Sequence, residues 1–405
     1  MASRRLLLAC ISASLAGVLV SAYLHSNLNP NPIYSDLQTF WTRDWVIAGQ
    51  VPYSPGAFLE YPPVSGLVLY FARTLGGIVA GVAGSIYAGY YDSFTALSLL
   101  AAVGIGWSTW RLAGAMNVKV NPLYFLLPSM LIYGVYNFDL FNALFIVLCL
   151  QFFVQKRKGW SAILMGVAIA TKFVAAVLIP VFLLELTGWK ERGRYFAISV
   201  MVAGAIFVPI AVFNFGYFSQ FLSFYSGWGL EDAWYIWIFG NPFSEPAKLF
   251  GAALLIVLLL RVYTLKMPLV QRSFLALAAY LFSTTVYAPQ FNLMLIPLVA
   301  VLALDSPWLY SMELFNALII LTWFSVPLGP NTGPTLPWTL PQAVALVRSA
   351  SLALLGLSVA SASGHSLPGW LKARLGRQKT LDSFVRPPSL QAGGLAASRP
   401  GSRKE

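Results

Sequence analysis

Arg4-Arg5-Leu6-Leu7-Leu8-Ala9-Cys10-Ile11-Ser12-Ala13-Ser14-Leu15-Ala16-Gly17-Val18-Leu19-Val20-Ser21-Ala22-Tyr23 is the stretch that decides the fold class. Two arginines precede an uncharged apolar run of roughly the ~20 residues that a helix needs to cross a bilayer. The same run, with Val20-Ser21-Ala22 as its cleavage site, reads alternatively as a signal peptide. An uncleaved first helix is preferred, because the run is long enough to span and the rest of the chain is expected to stay in the membrane anyway. Of 405 residues, 58% are hydrophobic and 10% charged, with a mean hydropathy of +0.71. Soluble domains carry about a quarter charged residues, so a water-soluble fold is excluded.

Working outward, hydropathy predicts about twelve spans, several shorter than a perpendicular helix requires. They fall near 5–25, 86–110, 122–135, 138–154, 160–171, 173–187, 195–215, 247–264, 272–287, 289–304, 311–327 and 341–360. The short ones are credible only inside a bundle or beside a cavity, where their backbone is shielded from lipid. The paired segments in 122–154 and 160–187 read alternatively as long kinked hairpins. The expected fold is therefore an all-α, polytopic transmembrane helical bundle.

The net charge of +12 first suggests a nucleic-acid partner. Its placement argues otherwise. Arg111 and Lys119, Lys156 to Lys158, Lys190 to Arg194, and Arg261 to Arg272 fall between spans on one side, with the N-terminal pair and the tail. Arg43, Arg73 and Lys248 are the exceptions on the other side. This is positive-inside asymmetry and predicts both termini in the cytoplasm. The membrane unit is residues 1–360, with outer loops at about 26–85, 216–246 and 328–340. Residues 361–405, rich in Ser, Gly, Pro, Arg and Lys, read as a disordered cytoplasmic tail. Val64 to Leu75, opened by Pro62-Pro63, is expected to lie as a helix in the outer interface.

Cys10 and Cys149 both lie in apolar segments, which argues against a disulfide framework. No phosphate loop, dinucleotide fingerprint or Cys/His metal cluster is present, and His25 and His365 are the only histidines. Chemistry must then fall to carboxylates, amides, Lys, Arg and Tyr on the outer face. Asp36 is the leading carboxylate, or else a helix cap. Asp44, eight residues on, shares its face if the stretch is helical. Glu60 precedes the double proline and either binds hydroxyls or caps the next helix. Lys172 interrupts an apolar segment, where a charge costs ~3 kcal/mol or more and needs a partner or a task. It either binds a phosphate or pairs with Asp139. Asp139 and Asn142 share one helix face. Gln290 and Asn292 follow Pro289, as ligand-recognising amides or as turn caps. Trp228, Glu231, Asp232, Trp234, Tyr235 and Trp237 mix rings and acids, and an interfacial belt is the favoured reading.

Taken in order, several motifs resemble the membrane-embedded glycosyltransferases of the GT-C superfamily. They are Tyr34-Ser35-Asp36 after the first span, Gly49-Gln50-Val51-Pro52-Tyr53 and Glu60-Tyr61-Pro62-Pro63. Asn137-Phe138-Asp139-Leu140-Phe141-Asn142, Gly166 to Lys172 with Pro180, and Tyr287-Ala288-Pro289-Gln290-Phe291-Asn292 follow. The pattern looks most like the glycosyltransferase family 87 mannosyltransferases, and also like the first GPI mannosyltransferase, although Gln38 stands where that enzyme has the second acid of Asp-x-Asp. The resemblance implies a GT-C-like fold and transfer of a hexose, mannose in the family, from a polyprenyl- or dolichyl-phosphate carrier to a glycolipid or glycan hydroxyl. It implies Asp36 as general base; the reading of the residues themselves adds Lys172, Gln290 and Asn292 as assisting groups and Asp44, Glu60 and Asp139 as further candidate substrate contacts. No cofactor is expected, and a carboxylate-bound divalent cation at Asp36 is an open alternative. The competing reading is a transporter or lipid-linked sugar flippase, in which Asp139 and Lys172 line a path. A structural assembly subunit is the weakest.

Overall fold

A computed structural model describes residues 4–224, 226–326 and 337–363. Most of the expected third outer loop and nearly all of the expected tail lie outside them. Every named element among the described residues is helical. In chain order they begin with α1 (Arg4–His25), α2 (Asp36–Trp41), α3 (Asp44–Ile47), α4 (Pro63–Ala83) and α5 (Ile86–Met116). Then come α6 (Pro128–Tyr133), α7 (Asp139–Val154), α8 (Lys158–Thr171), α9 (Leu178–Leu184) and α10 (Trp189–Phe213). The rest are α11 (Phe215–Phe224), α12 (Ile236–Phe239), α13 (Glu245–Thr264), α14 (Leu269–Ser283), α15 (Ile296–Leu302), α16 (Pro307–Trp323) and α17 (Leu340–Ala362). Six of them, α1, α4, α5, α10, α13 and α17, are long and apolar enough to cross a membrane.

The ends of these helices are written in the sequence. Ser85 caps α5 by accepting from the Ala88 amide, and Asn117 stops it with a left-handed φ of 57°. Ser306 caps α16 just before Pro307, whose missing N–H costs nothing in a first turn. Three helical segments are broken: a 3-10 turn precedes a short α-helix at Pro122–Leu126 with α6, at Phe173–Val177 with α9, and at Pro289–Met294 with α15. Every residue of Pro289–Leu302 is buried, so this irregular backbone is shielded by protein, as the sequence requires.

α1 and α5 run antiparallel: the Tyr91 hydroxyl donates to the Ala22 carbonyl at 2.6 Å, while Gly106 packs against Cys10. The start of α5 therefore lies at the same end of the bundle as the C-terminus of α1. The other end gathers the basic connections. There Lys158 pairs with Glu191, Arg272 meets Glu185 at 2.7 Å, and the Asn121 amide bonds the Ala300 carbonyl at 3.1 Å.

One expectation is corrected. The interfacial helix foreseen over Val64 to Leu75 is α4, 21 residues long, and it reaches Ala83. Gly76 explains the extension. A Cβ there would run into the backbone of Tyr90, so the two glycines Gly76 and Gly89 let α4 and α5 pack backbone to backbone. Gly84, at a φ of 84°, then turns the chain between them. The start of α4 is tied to the bundle by Ser65, whose hydroxyl donates to the Thr171 carbonyl at 2.9 Å.

Candidate functional site

A cavity of about 530 Å³ opens at the end of the bundle where α1 finishes and α5 begins. Asp36, Glu60, Lys172 and Gln290 all line it, drawn from four separate parts of the chain.

Asp36 is the first residue of α2. The cap itself is Ser35, whose hydroxyl oxygen accepts from the Leu37 amide and whose O–H donates to the Tyr136 carbonyl at 3.2 Å. Asp36 is thus spared capping, and its carboxylate turns into the cavity. Asn137 Nδ2 donates to Oδ2 at 2.6 Å, and the Tyr34 hydroxyl donates to Oδ1 at 3.1 Å. The same Asn137 nitrogen bonds the Tyr61 hydroxyl at 3.0 Å, while its Oδ1 accepts from the Phe138 amide at 2.6 Å. Both ends of the amide are fixed, so its donor faces the carboxylate. Burial pushes the Asp36 carboxyl up to about 7; the Asn137 and Tyr34 bonds resist that rise, and the nearby Glu231 charge adds to it.

Lys172 follows the last turn of α8 in extended backbone. Its Nζ meets Asp139 Oδ1 at 2.5 Å and sits 3.6 Å from the centroid of the Phe291 ring. Asp139 is fully buried behind Lys172 and is a partner of the lysine rather than part of the cavity wall. Gln290 belongs to the 3-10 turn Pro289–Met294, and its Oε1 is buried with no hydrogen-bond partner. Such an acceptor is costly to bury and is satisfied by a ligand hydroxyl or a water. Glu60 does not cap α4. Its two oxygens take a bidentate fork from Arg43, each contact 2.6 Å, and Arg43 lines the cavity too.

Two further expected contacts, Asp44 and Asn292, lie elsewhere. Asp44 starts α3 on the exposed surface; α2 ends at Trp41, so no common helix face joins it to Asp36. Asn292 is fully buried and accepts from the Tyr287 hydroxyl at 2.6 Å. Arg348 is buried as well, donating to Asn316 Oδ1 at 3.0 Å and to the Tyr287 carbonyl at 2.7 Å, with Asp232 beside it.

The expected aromatic belt is docked onto the bundle. Trp234 donates to the Phe282 carbonyl at 2.8 Å and Tyr235 to the Ser283 carbonyl at 3.3 Å. The Glu231 amide bonds the Thr285 carbonyl, and the Tyr287 amide bonds the Glu231 carbonyl, a short parallel bridge. That bridge fastens Glu231 in the cavity wall, where Trp228 donates to its Oε2 at 2.9 Å. Sequence reasoning missed Arg43 as a site residue. The available signal was its sign, since it is one of the few basic residues on the acidic side of the chain. Of the other two exceptions, Arg73 is spent on the Val46 and Ile47 carbonyls and Lys248 on Glu245 and the Ser226 carbonyl.

Among the described residues no group of three or more His, Cys, Asp or Glu side chains is placed to hold a metal ion. Searched against models of known families and against curated proteins, the sequence finds no match. The chemistry must be argued from the cavity itself.

Proposed function

We propose that the chain is a membrane-embedded glycosyltransferase with a GT-C-like bundle of about twelve passes, three of them broken. It moves a hexose, mannose by the family resemblance, from a polyprenyl- or dolichyl-phosphate carrier to a hydroxyl of a glycolipid or glycan. The observation that carries this reading is the composition of one cavity. The oriented carboxylate of Asp36 shares it with the cation Lys172 and the unsatisfied amide oxygen of Gln290.

The chemistry needs no more than this. The acceptor hydroxyl donates its proton to Asp36 as its oxygen attacks the anomeric carbon. The bond from that carbon to the phosphate oxygen breaks, and its electron pair leaves with the polyprenyl phosphate. Lys172 meets the charge that grows on the phosphate. The phosphate is already a good leaving group, so a second carboxylate acting as acid, as in glycoside hydrolysis, is dispensable. One displacement inverts the anomeric centre. The cavity belongs at the outer or luminal face, with the basic connections and both termini in the cytoplasm; charge asymmetry supports this orientation.

The ion pair of Asp139 with Lys172, set among apolar helices, favours a second reading as a transporter or lipid-linked sugar flippase. It ranks lower because the polar groups gather at one end of the bundle rather than halfway along it. The test is to incubate purified protein in nanodiscs with radiolabelled polyprenyl-phosphate mannose and a membrane lipid extract. Wild type is expected to pass label to a new product, and Asp36→Asn to lose this by a factor of roughly 10²–10⁴. A folded wild type that consumes no carrier, with other carrier-linked hexoses equally silent, sinks the enzyme reading.

A further inference from the structure

Resting on the carrier-phosphate reading above, we infer that Arg43 is a second phosphate ligand and that Glu60 holds its place while the cavity is empty. Three observations carry this. Arg43 is bound by both guanidinium nitrogens to both oxygens of one carboxylate, at 2.6 Å each. That planar fork fits a phosphate oxygen pair as well as it fits a carboxylate. Both partners line the cavity, with side chains 25% and 13% exposed, so incoming anionic oxygens reach them. Arg43 also stands with Lys172 within electrostatic range of Asp36, so a phosphate bound between the two cations brings the attached sugar to the base.

The exchange follows from charge. Three carboxylates, Asp36, Glu60 and Glu231, face this space against the two cations Arg43 and Lys172. With Glu60 in its fork, Arg43 offers a phosphate little net attraction. When the carrier enters, its phosphate takes the fork and Glu60 turns away, free to accept from sugar hydroxyls. The guanidinium lies 5.0 Å from the centroid of Phe40, whose ring stacks on Phe138, so the arginine stays anchored when its carboxylate partner leaves.

Two variants move in opposite directions only if this is right. The full-length protein in nanodiscs is titrated with a short-chain polyprenyl phosphate, with the uncharged polyprenol as control, following the change in intrinsic tryptophan fluorescence to which Trp228 and Trp323 in the cavity wall contribute. Arg43→Ala is expected to weaken phosphate binding about tenfold and Arg43→Lys by less, since a point charge cannot fork. Glu60→Gln is expected to tighten it, because the competing charge is gone. Binding of the polyprenol stays unchanged in all three. If Arg43→Ala fails to fold, Glu60→Gln decides alone: weaker or unaltered binding overturns the inference. Equal weakening in Arg43→Ala and Glu60→Gln also overturns it, as the pair is then a structural tie. Tight wild-type binding that ignores both variants sinks only the role of Arg43. Failure of wild type to bind polyprenyl phosphate, with transfer also absent, sinks the carrier reading itself.

Discussion

Asp36 owes its chemistry to neighbours that lie far off in the chain. Its ordinary carboxyl value is 3.8, and burial lifts it to about 7, while Asn137, 101 residues away, donates to the ionised form. A general base works only when ionised, so activity is expected to rise with pH through about 7 and level off above it. The sign for Asn137 follows. Its donor stabilises the anion and holds the value down, so Asn137→Ala raises it further and moves the acid limb of the pH–rate profile to higher pH. A limb that stays put in Asn137→Ala, or moves to lower pH, contradicts this. Folding stability has the opposite slope: a carboxyl raised from 3.8 to about 7 contributes most below 3.8, and that contribution fades as pH climbs through 7. Asp36, Glu60, Lys172 and Gln290 were legible in the sequence because a charge or amide beside an apolar run demands a reason. Arg43 and Glu231 were not, since what qualifies them is the wall they share, which no local pattern encodes.

At the scale of the elements, the apolar runs of α1, α5, α13 and α17 were legible because lipid-facing and core-facing surfaces are both greasy, and length alone then marks the helix. The length of α4 was not. Its second half, Gly76-Gly77-Ile78-Val79-Ala80-Gly81-Val82-Ala83, carries three glycines that weaken local helix propensity. Packing overrides propensity there, because α4 lies backbone to backbone on α5 where Gly76 meets Tyr90. Gly76→Val is therefore expected to push the helices apart and cost about 1–3 kcal/mol. Gly81 sits on the same helix with open space around it. Gly81→Ala is expected to be neutral or to stabilise by up to ~1 kcal/mol, since it only removes a flexible residue. Thermal unfolding of the two variants in one detergent makes the comparison. Equal midpoints for both would show that the close approach of α4 and α5 contributes nothing.

Across the whole molecule, charge and cavity divide the two ends. The cavity end carries Asp36, Glu60 and Glu231 against Arg43 and Lys172, and the opposite end carries Lys156, Lys158, Lys190, Arg192, Lys266 and Arg272 against Glu185 and Glu191. Basic residues flanking apolar helices stay on the cytoplasmic side, and under the proposed function a polyprenyl chain stays in lipid while its phosphate reaches the cavity at the other end. The division of charge thus puts the cavity end outside, the orientation proposed above. It is open to a direct measurement, because both native cysteines are buried and give no background to a membrane-impermeant thiol reagent. Asn27 is exposed just beyond α1 at the cavity end, and Gly159 is exposed at the start of α8 at the basic end. In intact cells or sealed vesicles of native orientation, Asn27→Cys is expected to label from outside. Gly159→Cys is expected to label only after the membrane is opened. The reverse pattern would turn the protein over and put Asp36 on the cytoplasmic side, where the acceptor and the carrier would have to be sought instead. Labelling of both before opening would mean that the helices joining these two ends do not cross the bilayer, and the membrane reading of the entire bundle would fall with it.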